Sequence, residues 1–409
     1  MAPAGNWAAL HAALQAHADA VYLGVGTLNM RAASSLNFQA EQLPTIVETL
    51  HQDHCKCYLT LNTIVYDEEL DQVARLLDMA LQAHVDAIIA SDQAVIAMAY
   101  ERGLHIHLST QLSISNAKTL AFYSHWADVA VLARELSLKQ VAAIHRQIVE
   151  QNIRGPRGEL MRIELFAHGA LCMAISGKCY MSLHEANRSA NRGSCAQICR
   201  HSYLLTDRNN GRQIEVQNQY LMSPKDLCTL PFLDKVLAAG VSLLKIEGRA
   251  RSPEYVLVAT RVYRQAVAAI QEGKFTPMLV EELTKELRQV FNRGFWSGYY
   301  LGGGVGEWAN RYGSQASERK QLLGVVTNFF QRTSVAEVRV EAAKLHPNDR
   351  LYIIGPTSGV VSAKPEQVWV DEKPAPVAEQ GTVCTFSTPN RVRRGDKVFL
   401  RIAVAEDDH

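Results

Sequence analysis

Long hydrophobic runs are missing from this sequence. No stretch of about 18 consecutive apolar residues occurs, so no membrane-spanning helix is predicted. The first residues, Met1 to Asn6, also lack the basic segment and the apolar stretch of a secretory signal. We therefore expect a cytoplasmic protein with no membrane partner.

An excess of charge of either sign is missing as well. The 409 residues include 42 Lys and Arg against 41 Asp and Glu, a formal net charge of +1. This balance excludes a polybasic protein that binds nucleic acid through bulk charge, so any nucleic-acid partner must be bound by a local patch. Disorder is excluded because 47% of the residues are hydrophobic and only 20% are charged. The length predicts two domains or one large barrel with an appendage.

Cysteine is scarce and unevenly placed. Eight cysteines in 409 residues are too few for a disulfide scaffold. Four are scattered along the chain, and the other four fall within 28 residues: Cys172, Cys179, Cys195 and Cys199. Such a group in a reducing compartment predicts metal or cluster ligands rather than disulfides.

Up to about residue 250, the sequence alternates short β-rich runs with helical segments. The seven predicted strands lie at residues 19–24, 56–62, 86–92, 104–111, 128–134, 162–168 and 243–249. Segments with apolar residues at helical spacing separate them. This alternation requires parallel strands with right-handed crossovers and predicts an α/β fold of the TIM-like barrel type. An open, doubly wound sheet is the alternative.

Past about residue 318, the hydrophobic pattern changes to period two. Runs such as 335–341 and 349–355 are separated by turns, which predicts a small all-β domain, closed or nearly closed into a barrel. We therefore divide the chain at this point. Residues 1–317 form a TIM-like barrel with a cysteine-bearing insertion at about 169–228 and a helical extension, and residues 318–409 form the β domain.

Polar residues follow the predicted strands. They are Asn62, Asp92, Ser109, Gln111, Arg134, Glu135, His168, Glu247 and Arg249. Because the carboxyl ends of parallel barrel strands surround one mouth, these residues are expected to converge there. The mouth is the expected active site, although some of these positions are ordinary polar loop residues.

The four grouped cysteines have the spacing C-x6-C-x15-C-x3-C. Four thiolates on one loop can hold a tetrahedral zinc ion or an iron–sulfur cluster. Only the second pair has the short spacing that structural zinc sites prefer, so a [4Fe–4S] cluster is favoured and zinc is the alternative. Gly169, Gly177 and Gly193 let the backbone approach such a cluster and donate amide hydrogen bonds to its sulfurs.

The segment Glu164-x-Phe-x-x-Gly-Ala-Leu-Cys172-x4-Gly-x-Cys179-x-x-Ser182 resembles the signature of the U32 family, historically labelled collagenase-like peptidases. Further matches lie at residues 2–6, 107–111 and 245–255, so the resemblance covers most of residues 1–300. It implies a TIM-like barrel, whose eighth short strand lies at or before Met1-Ala-Pro. It also implies a [4Fe–4S] cluster on the four cysteines and oxygen-independent hydroxylation.

Within this family, the chain is most similar to the branch that forms 5-hydroxyuridine at the wobble position of tRNA. The resemblance implies a tRNA anticodon loop as partner, prephenate or a similar small carboxylate as oxygen donor, an electron donor, and a possible family-paired partner protein. Other branches modify an rRNA cytidine or a ubiquinone precursor. These substrates, and a non-catalytic iron–sulfur partner protein, are the alternatives.

A peptidase is a further alternative, which the residues do not favour. Peptidases need an activated nucleophile, paired carboxylates or a metal-bound water. The sequence has neither a His-Glu-x-x-His nor a Gly-x-Ser-x-Gly motif. Cluster ligation also uses the cysteines that could act as nucleophiles.

The candidate catalytic residues are Glu135 and Glu247, which are placed to move protons, and His168, a possible acid or base. A carboxylate-bearing donor needs cationic anchors. The candidate substrate-binding residues are Arg134, Lys245, Arg249, Arg200, Asn62, Gln111 and Tyr203. An internal salt bridge, such as Arg134 with Glu247, is the alternative role for the charged residues.

Two groups of basic residues are candidates for contacts to RNA phosphates. One group follows the first cysteine pair and consists of Arg188, Arg192, Arg200, Arg208 and Arg212. The other lies in a turn of the β domain and consists of Arg391, Arg393, Arg394 and Lys397. Solvated surface charge is the alternative for both groups.

Overall fold

The computed structural model describes residues 1–201, 203–214, 222–302, 306–309 and 313–404. In its first part, seven short strands alternate with six helices. The strands are β1 (Ala2–Pro3), β2 (Ala20–Leu23), β3 (Lys56–Leu61), β4 (Ala87–Ala90), β5 (Ile106–Leu108), β6 (Val129–Val131) and β7 (Arg162–Gly169). The helices are α1 (Trp7–Gln15), α2 (Leu43–Gln52), α3 (Leu70–Gln82), α4 (Gln93–Glu101), α5 (Ala117–Tyr123) and α6 (Leu138–Glu150). Each strand pairs in parallel with the next one along the chain.

A second group of elements completes this domain. It consists of α7 (Met181–Ala186), β8 (Leu205–Thr206), β9 (Gln213–Ile214), β10 (Asp226–Cys228), α8 (Leu233–Ala238), β11 (Val241–Ile246), α9 (Pro253–Gln271), α10 (Pro277–Gln289) and β12 (Phe295–Trp296). Strand β11 pairs in parallel with β7. Strand β10 runs antiparallel to the end of β7, with Cys228 opposite His168.

Backbone bonds from Met1 close the parallel sheet. The amino group of Met1 donates to the Leu244 carbonyl oxygen at 2.8 Å, and the Ile246 N–H donates to the Met1 carbonyl oxygen at 3.1 Å. These bonds join β11 to the chain directly before β1, so strands β1 to β7 and β11 form an eight-stranded ring. The α/β prediction is confirmed, and the sheet is consistent with a TIM-like barrel rather than an open doubly wound sheet. The predicted short first strand lies at Ala2–Pro3.

The insertion leaves and rejoins the barrel at one strand end. It starts after Gly169, the last residue of β7, and it ends at β10, which pairs back onto the same residues. The grouped cysteines lie between these two points, so the pairing of β10 with β7 holds their segment at the carboxyl end of the barrel strands.

The C-terminal part is an antiparallel β domain, as predicted. Its strands are β13 (Glu318–Phe330), β14 (Val335–Val340), β15 (Leu351–Gly355), β16 (Gly359–Ala363), β17 (Val368–Val370), β18 (Lys373–Ala375), β19 (Val383–Ser387) and β20 (Lys397–Ala403). Their order is β16-β15-β20-β13-β14-β19-β17-β18. Within residues 313–404 no backbone ladder joins β16 to β18, so strand pairing does not close this sheet into a barrel.

The β domain packs on the first helix of the barrel. The Gln15 side chain of α1 donates to the Ser358 carbonyl oxygen and accepts from the Val360 N–H, both at 2.9 Å. Tyr352 and Val360 belong to the apolar core of the barrel domain. Polar and apolar contacts therefore join the two domains at this face.

No helix in the described part of the chain is long and apolar enough to cross a membrane.

The His168 side chain on β7, predicted to be catalytic, is enclosed by aromatic side chains from α9 and β12. It is 1% exposed, and its ring lies 5.5–5.9 Å from the rings of Tyr255, Tyr263 and Phe295. Its Nδ1 atom has no hydrogen-bond partner. Burial lowers the pKa of His168 to about 4, although the Asp226 charge opposes this shift. At neutral pH the buried imidazole is neutral and serves packing.

The lowered pKa predicts that His168 makes the fold sensitive to acid. Because the ordinary pKa is 6.5 and the folded pKa is about 4, the stabilisation is present above pH 6.5 and is lost as the pH falls towards 4. Between pH 7 and pH 5, this loss amounts to about 2 kcal/mol. Between pH 7 and pH 5, we expect the free energy of unfolding of His168→Phe, measured in urea, to fall by about 2 kcal/mol less than that of the wild type.

The matched control is His125→Gln, which changes an exposed histidine on the surface after α5. It should keep the wild-type pH dependence. Identical slopes for His168→Phe and the wild type would show that His168 is not the group that titrates.

Candidate functional site

The strand ends and the insertion enclose a cavity of about 770 Å³ at the carboxyl end of the barrel, here called the mouth cavity. Its wall contains eleven of the fourteen residues predicted to be catalytic, substrate-binding or cluster ligands. Those from the barrel are Asn62, Gln111, Arg134, Lys245, Glu247 and Arg249. Those from the insertion are Cys172, Cys179, Cys195, Cys199 and Arg200. Residues up to 187 positions apart in the chain thus share one wall because parallel strands end at the same edge.

A buried carboxylate lies beneath this cavity. Glu164 on β7 is 0% exposed; its Oε1 lies 2.9 Å from Nζ of Lys245, and its Oε2 lies 3.2 Å from Nδ1 of His107. Burial alone raises the pKa of Glu164, but Lys245 and His107 outweigh it and lower the pKa to about 2. Lys245 is therefore neutralised by Glu164 and is not a free anchor for a substrate carboxylate.

Glu247 is paired, but with a residue that the sequence did not point to. Its Oε1 accepts from Nη2 and Nε of Arg31 at 2.6 and 3.1 Å. Burial alone would raise the pKa of Glu247. The charge and the hydrogen bond of Arg31 outweigh burial and lower this pKa to about 2. The carboxylate thus stays ionised at neutral pH and has no proton to donate. The suggested salt bridge between Arg134 and Glu247 is not formed.

Arg134 carries the least satisfied charge in the cavity wall. Its Nη1 donates to the Ala170 carbonyl oxygen at 3.2 Å, and its guanidinium lies 4.0 Å from the centre of the Phe166 ring. Its Nε and Nη2 are buried and have no hydrogen-bond partner. Buried guanidinium N–H groups are normally satisfied, so Arg134 has the donors that an anionic ligand requires.

Arg249 and Arg200 line the cavity with their donors engaged by neutral groups. Arg249 donates to Oδ1 of Asn29 at 3.0 Å and to Oγ1 of Thr60 at 2.7 Å. Burial lowers the pKa of Arg249 to about 10, well above neutral pH. Arg200 donates to the carbonyl oxygens of Leu171 and Pro224 at 2.7 and 2.8 Å. It therefore ties the beginning of the insertion to its end.

Three polar side chains form a neutral patch in the same wall. Nδ2 of Asn62 lies 3.4 Å from both Oγ of Ser109 and Oε1 of Gln111. Ser109 also donates to Gln111. The Asn62 contacts are long, so its amide can exchange them for stronger bonds to a ligand.

Three predicted site residues lie outside the cavity wall. Glu135 is exposed on the loop that follows β6. Tyr203 donates its hydroxyl hydrogen to the Ile198 carbonyl oxygen at 2.8 Å, so it stabilises the insertion. His168 lies among the aromatic side chains described above. A strand-end position in the sequence does not specify to which side of the barrel a side chain points.

The four grouped thiols lie in one region of the wall. Burial raises the pKa of Cys199, Arg200 opposes the rise, and Cys172, Cys195 and Cys179 add to it, so the thiols are within electrostatic reach of one another. A Cβ atom at Gly193 would lie 2.2 Å from the Asn29 carbonyl oxygen, which shows how closely this loop approaches the barrel. Within the part of the chain that the structure describes, no group of three or more His, Cys, Asp or Glu residues is arranged to hold a metal ion.

Several cationic residues of the wall were missed by the sequence reasoning. Arg31 lies in the long segment between β2 and α2, and Arg251 and Arg293 flank α9 and α10. Arg251 falls within the matched stretch 245–255, but it was not singled out as a site residue. Arg293 and Arg251 share the carboxylate of Asp226, at 3.5 and 3.7 Å. Arg192, a member of the first basic group predicted to contact RNA, forms a salt bridge with Glu69 and stacks on Tyr66. Its charge is therefore already paired within the protein.

The wall carries a net positive charge. Among the residues that the structure describes, its seven basic side chains are Arg31, Arg134, Arg200, Lys245, Arg249, Arg251 and Arg293. Their carboxylate partners are three: Glu164, Glu247 and Asp226. The excess of four positive charges favours anionic ligands in the mouth cavity.

Comparison with known proteins gives a consistent family. A collagenase of Porphyromonas gingivalis is 49% identical over 98% of this chain and 96% of its own length. A 23S rRNA 5-hydroxycytidine synthase of Escherichia coli is 38% identical over 67% of this chain and 40% of that protein. The tRNA hydroxylation protein P1 of Bacillus subtilis is 29% identical over 91% of this chain and 87% of that protein. The model of peptidase family U32 matches residues 5–310, and with this match over most of its length the chain belongs to peptidase family U32.

Proposed function

We propose that this U32 protein is an iron–sulfur-dependent, oxygen-independent hydroxylase that forms 5-hydroxyuridine at the wobble position of tRNA. One observation carries the proposal. The wall of the mouth cavity combines four cysteine thiols with the Arg134 guanidinium, which has unsatisfied donors. A redox group and an anion can therefore meet in one cavity.

The donor set fits a [4Fe–4S] cluster in number and chemistry. Cys172, Cys179, Cys195 and Cys199 would hold it, one thiolate for each iron. When bound, the cluster supplies electron transfer or Lewis acidity. The positive wall favours this group, because a cluster with four thiolates lowers the charge of the cavity. Zinc is the alternative metal that these four cysteines could bind.

The oxygen donor is proposed to be prephenate or a similar small carboxylate. Nε and Nη2 of Arg134 can bind a carboxylate through two parallel hydrogen bonds. In the reaction, the C5–H bond of uridine is replaced by C5–OH, and the base loses two electrons. The donor loses one oxygen atom and accepts these two electrons, so atoms and charge balance between the two substrates.

The base itself needs polar partners inside the cavity. A uridine in a folded RNA must be extruded from its stack before its ring can react. The amides of Asn62 and Gln111 each offer a donor and an acceptor, as the edge of uracil does. Arg251 and Arg293, which share one carboxylate, are proposed to bind the adjacent phosphates.

A peptidase is the second candidate, because the 49% identical relative is named collagenase. The site supports it less well. In the described residues, no histidine lies within hydrogen-bond distance of a Ser, Thr or Cys side chain, and Glu247, the carboxylate in the wall, is neutralised by Arg31. The activated nucleophile or water that peptide hydrolysis needs is thus not apparent among them. An rRNA cytidine is the other substrate to test, since the 38% identical relative is named for that product.

The nucleoside content of RNA tests the proposed substrate. We expect expression of this protein in a host strain that forms no 5-hydroxyuridine to introduce that nucleoside into tRNA, as measured by mass spectrometry of digested RNA. Purified rRNA from the same cells is analysed in parallel for 5-hydroxycytidine, and the purified protein is incubated with gelatin. Modified rRNA with unmodified tRNA would contradict the proposed substrate and support the rRNA cytidine. Gelatin cleavage with unmodified tRNA would contradict the proposed reaction and support a peptidase.

The cysteine ligands are tested by iron and sulfide analysis after anaerobic purification. We expect Cys172→Ala to lose most of the bound iron and the modification activity, because a cluster held by three thiolates is exposed and labile. Cys384→Ala is the matched control, since Cys384 is buried in the β domain, and it should keep both. Equal iron in the two variants would exclude Cys172 as a ligand.

The anchoring role of Arg134 predicts a selective defect. Arg134→Gln should raise the KM for the carboxylate donor about tenfold or more, since a charge-assisted hydrogen bond contributes about 1.5–3 kcal/mol. Arg75→Gln, which changes an exposed arginine on α3, is the control and should leave the KM unchanged. If Arg134→Gln lowers kcat with an unchanged KM for the donor, Arg134 does not bind it.

A further inference from the structure

The opposite end of the barrel, where the strands begin, contains a second cavity. It has a volume of about 440 Å³ and is called here the N-terminal cavity. Residues at or just before the first residues of β3 to β7 line it, including Lys56, Asp86, Asp128 and Arg162. It therefore shares none of the strand-end residues that form the mouth cavity. Its volume is in the range typical of small-molecule sites.

The carboxylates of this cavity are already occupied. Oδ2 of Asp86 accepts from the Cys57 N–H at 2.8 Å and lies 2.8 Å from Nε2 of His51. Oδ1 of Asp128 accepts from the Arg157 N–H at 3.3 Å, and its Oδ2 lies 3.6 Å from Nδ1 of His105. These contacts hold both carboxylates against backbone and histidine groups, and in the described ranges neither forms a salt bridge with a Lys or Arg side chain.

Three basic side chains in the same wall have no carboxylate partner. Within the described ranges, Lys56, Arg157 and Arg162 form no salt bridge. Nε of Arg162 is buried without any hydrogen-bond partner. Partial burial and the Arg162 charge lower the pKa of Arg157, although the charges of Glu159 and Asp86 oppose this shift, so the two guanidinium groups repel each other. An anion between them removes this repulsion and satisfies Arg162.

The other lining groups suit a compact organic ligand. Tyr58 is 6% exposed, and its ring lies 4.6 Å from the ring of His107, which gives the cavity an aromatic wall. His84 adds a further ring nitrogen. Two guanidinium groups and an ammonium group are typical of phosphate recognition, and the volume exceeds that of a free phosphate.

We propose that the N-terminal cavity binds a small phosphate ester, with its phosphate held by Arg157, Arg162 and Lys56. The site is separate from the mouth cavity, yet one buried chain links them. His107 lines the N-terminal cavity, Lys245 lines the mouth cavity, and Glu164 contacts both residues. The proposal does not depend on the reaction proposed for the mouth cavity.

Binding to the purified full-length protein tests this site. Isothermal titration calorimetry at constant ionic strength uses ribose 5-phosphate, inorganic phosphate and ribose as probes. We expect ribose 5-phosphate to bind, phosphate to bind more weakly and to compete with it, and ribose not to bind. Arg162→Gln and Arg157→Gln should each weaken binding about tenfold, the loss expected for one charge-assisted contact.

Arg146→Gln on α6 is the matched control, because Arg146 is exposed and lies outside the cavity wall. It should bind like the wild type. Arg157 is itself an exposed loop residue, so Arg157→Gln tests the site even if Arg162→Gln does not fold. Absence of binding, binding that both variants retain, or equal binding of ribose would overturn the proposal. Tight binding of zinc in place of phosphate, abolished by changing the histidines, would also overturn it.

Discussion

The buried pair of Glu164 and Lys245 is the interaction on which the site depends. A fully buried carboxylate is costly unless its charge is matched, and Lys245 and His107 supply that match at 2.9 and 3.2 Å. The three residues come from β5, β7 and β11, so the ion pair forms only when these strands occupy their places in the barrel. It thereby fixes the floor of the mouth cavity and connects it to the opposite end of the barrel.

Charge decides what each cavity can hold. In the mouth cavity, the carboxylates of Glu164, Glu247 and Asp226 are all committed to basic partners, and an excess of positive charge remains. Arg134 represents that excess most directly, because two of its nitrogens lack partners. A wall with this charge favours anionic ligands.

The insertion turns a common barrel into a specialised site. Because β10 pairs back onto β7, the segment that bears the cysteines both starts and ends at the barrel mouth. Arg200 then joins Leu171 to Pro224 and keeps the two ends of the segment together. The four thiols consequently lie in the same wall as side chains from β2, β3, β7 and β11.

Much of the fold was accessible from the sequence alone, for a local reason. Alternation of β-rich runs with helical periodicity, and the later change to period two, are properties of neighbouring residues, and they predicted the parallel sheet and the β domain. The convergence of Asn62, Gln111, Arg134 and Glu247 also followed from parallel topology. Only the tertiary structure decided which charges are paired and which side chains face the cavity. Glu247 binds Arg31, His168 turns into an aromatic shell and Glu135 faces solvent, because such contacts join residues far apart in the chain and no local pattern encodes them.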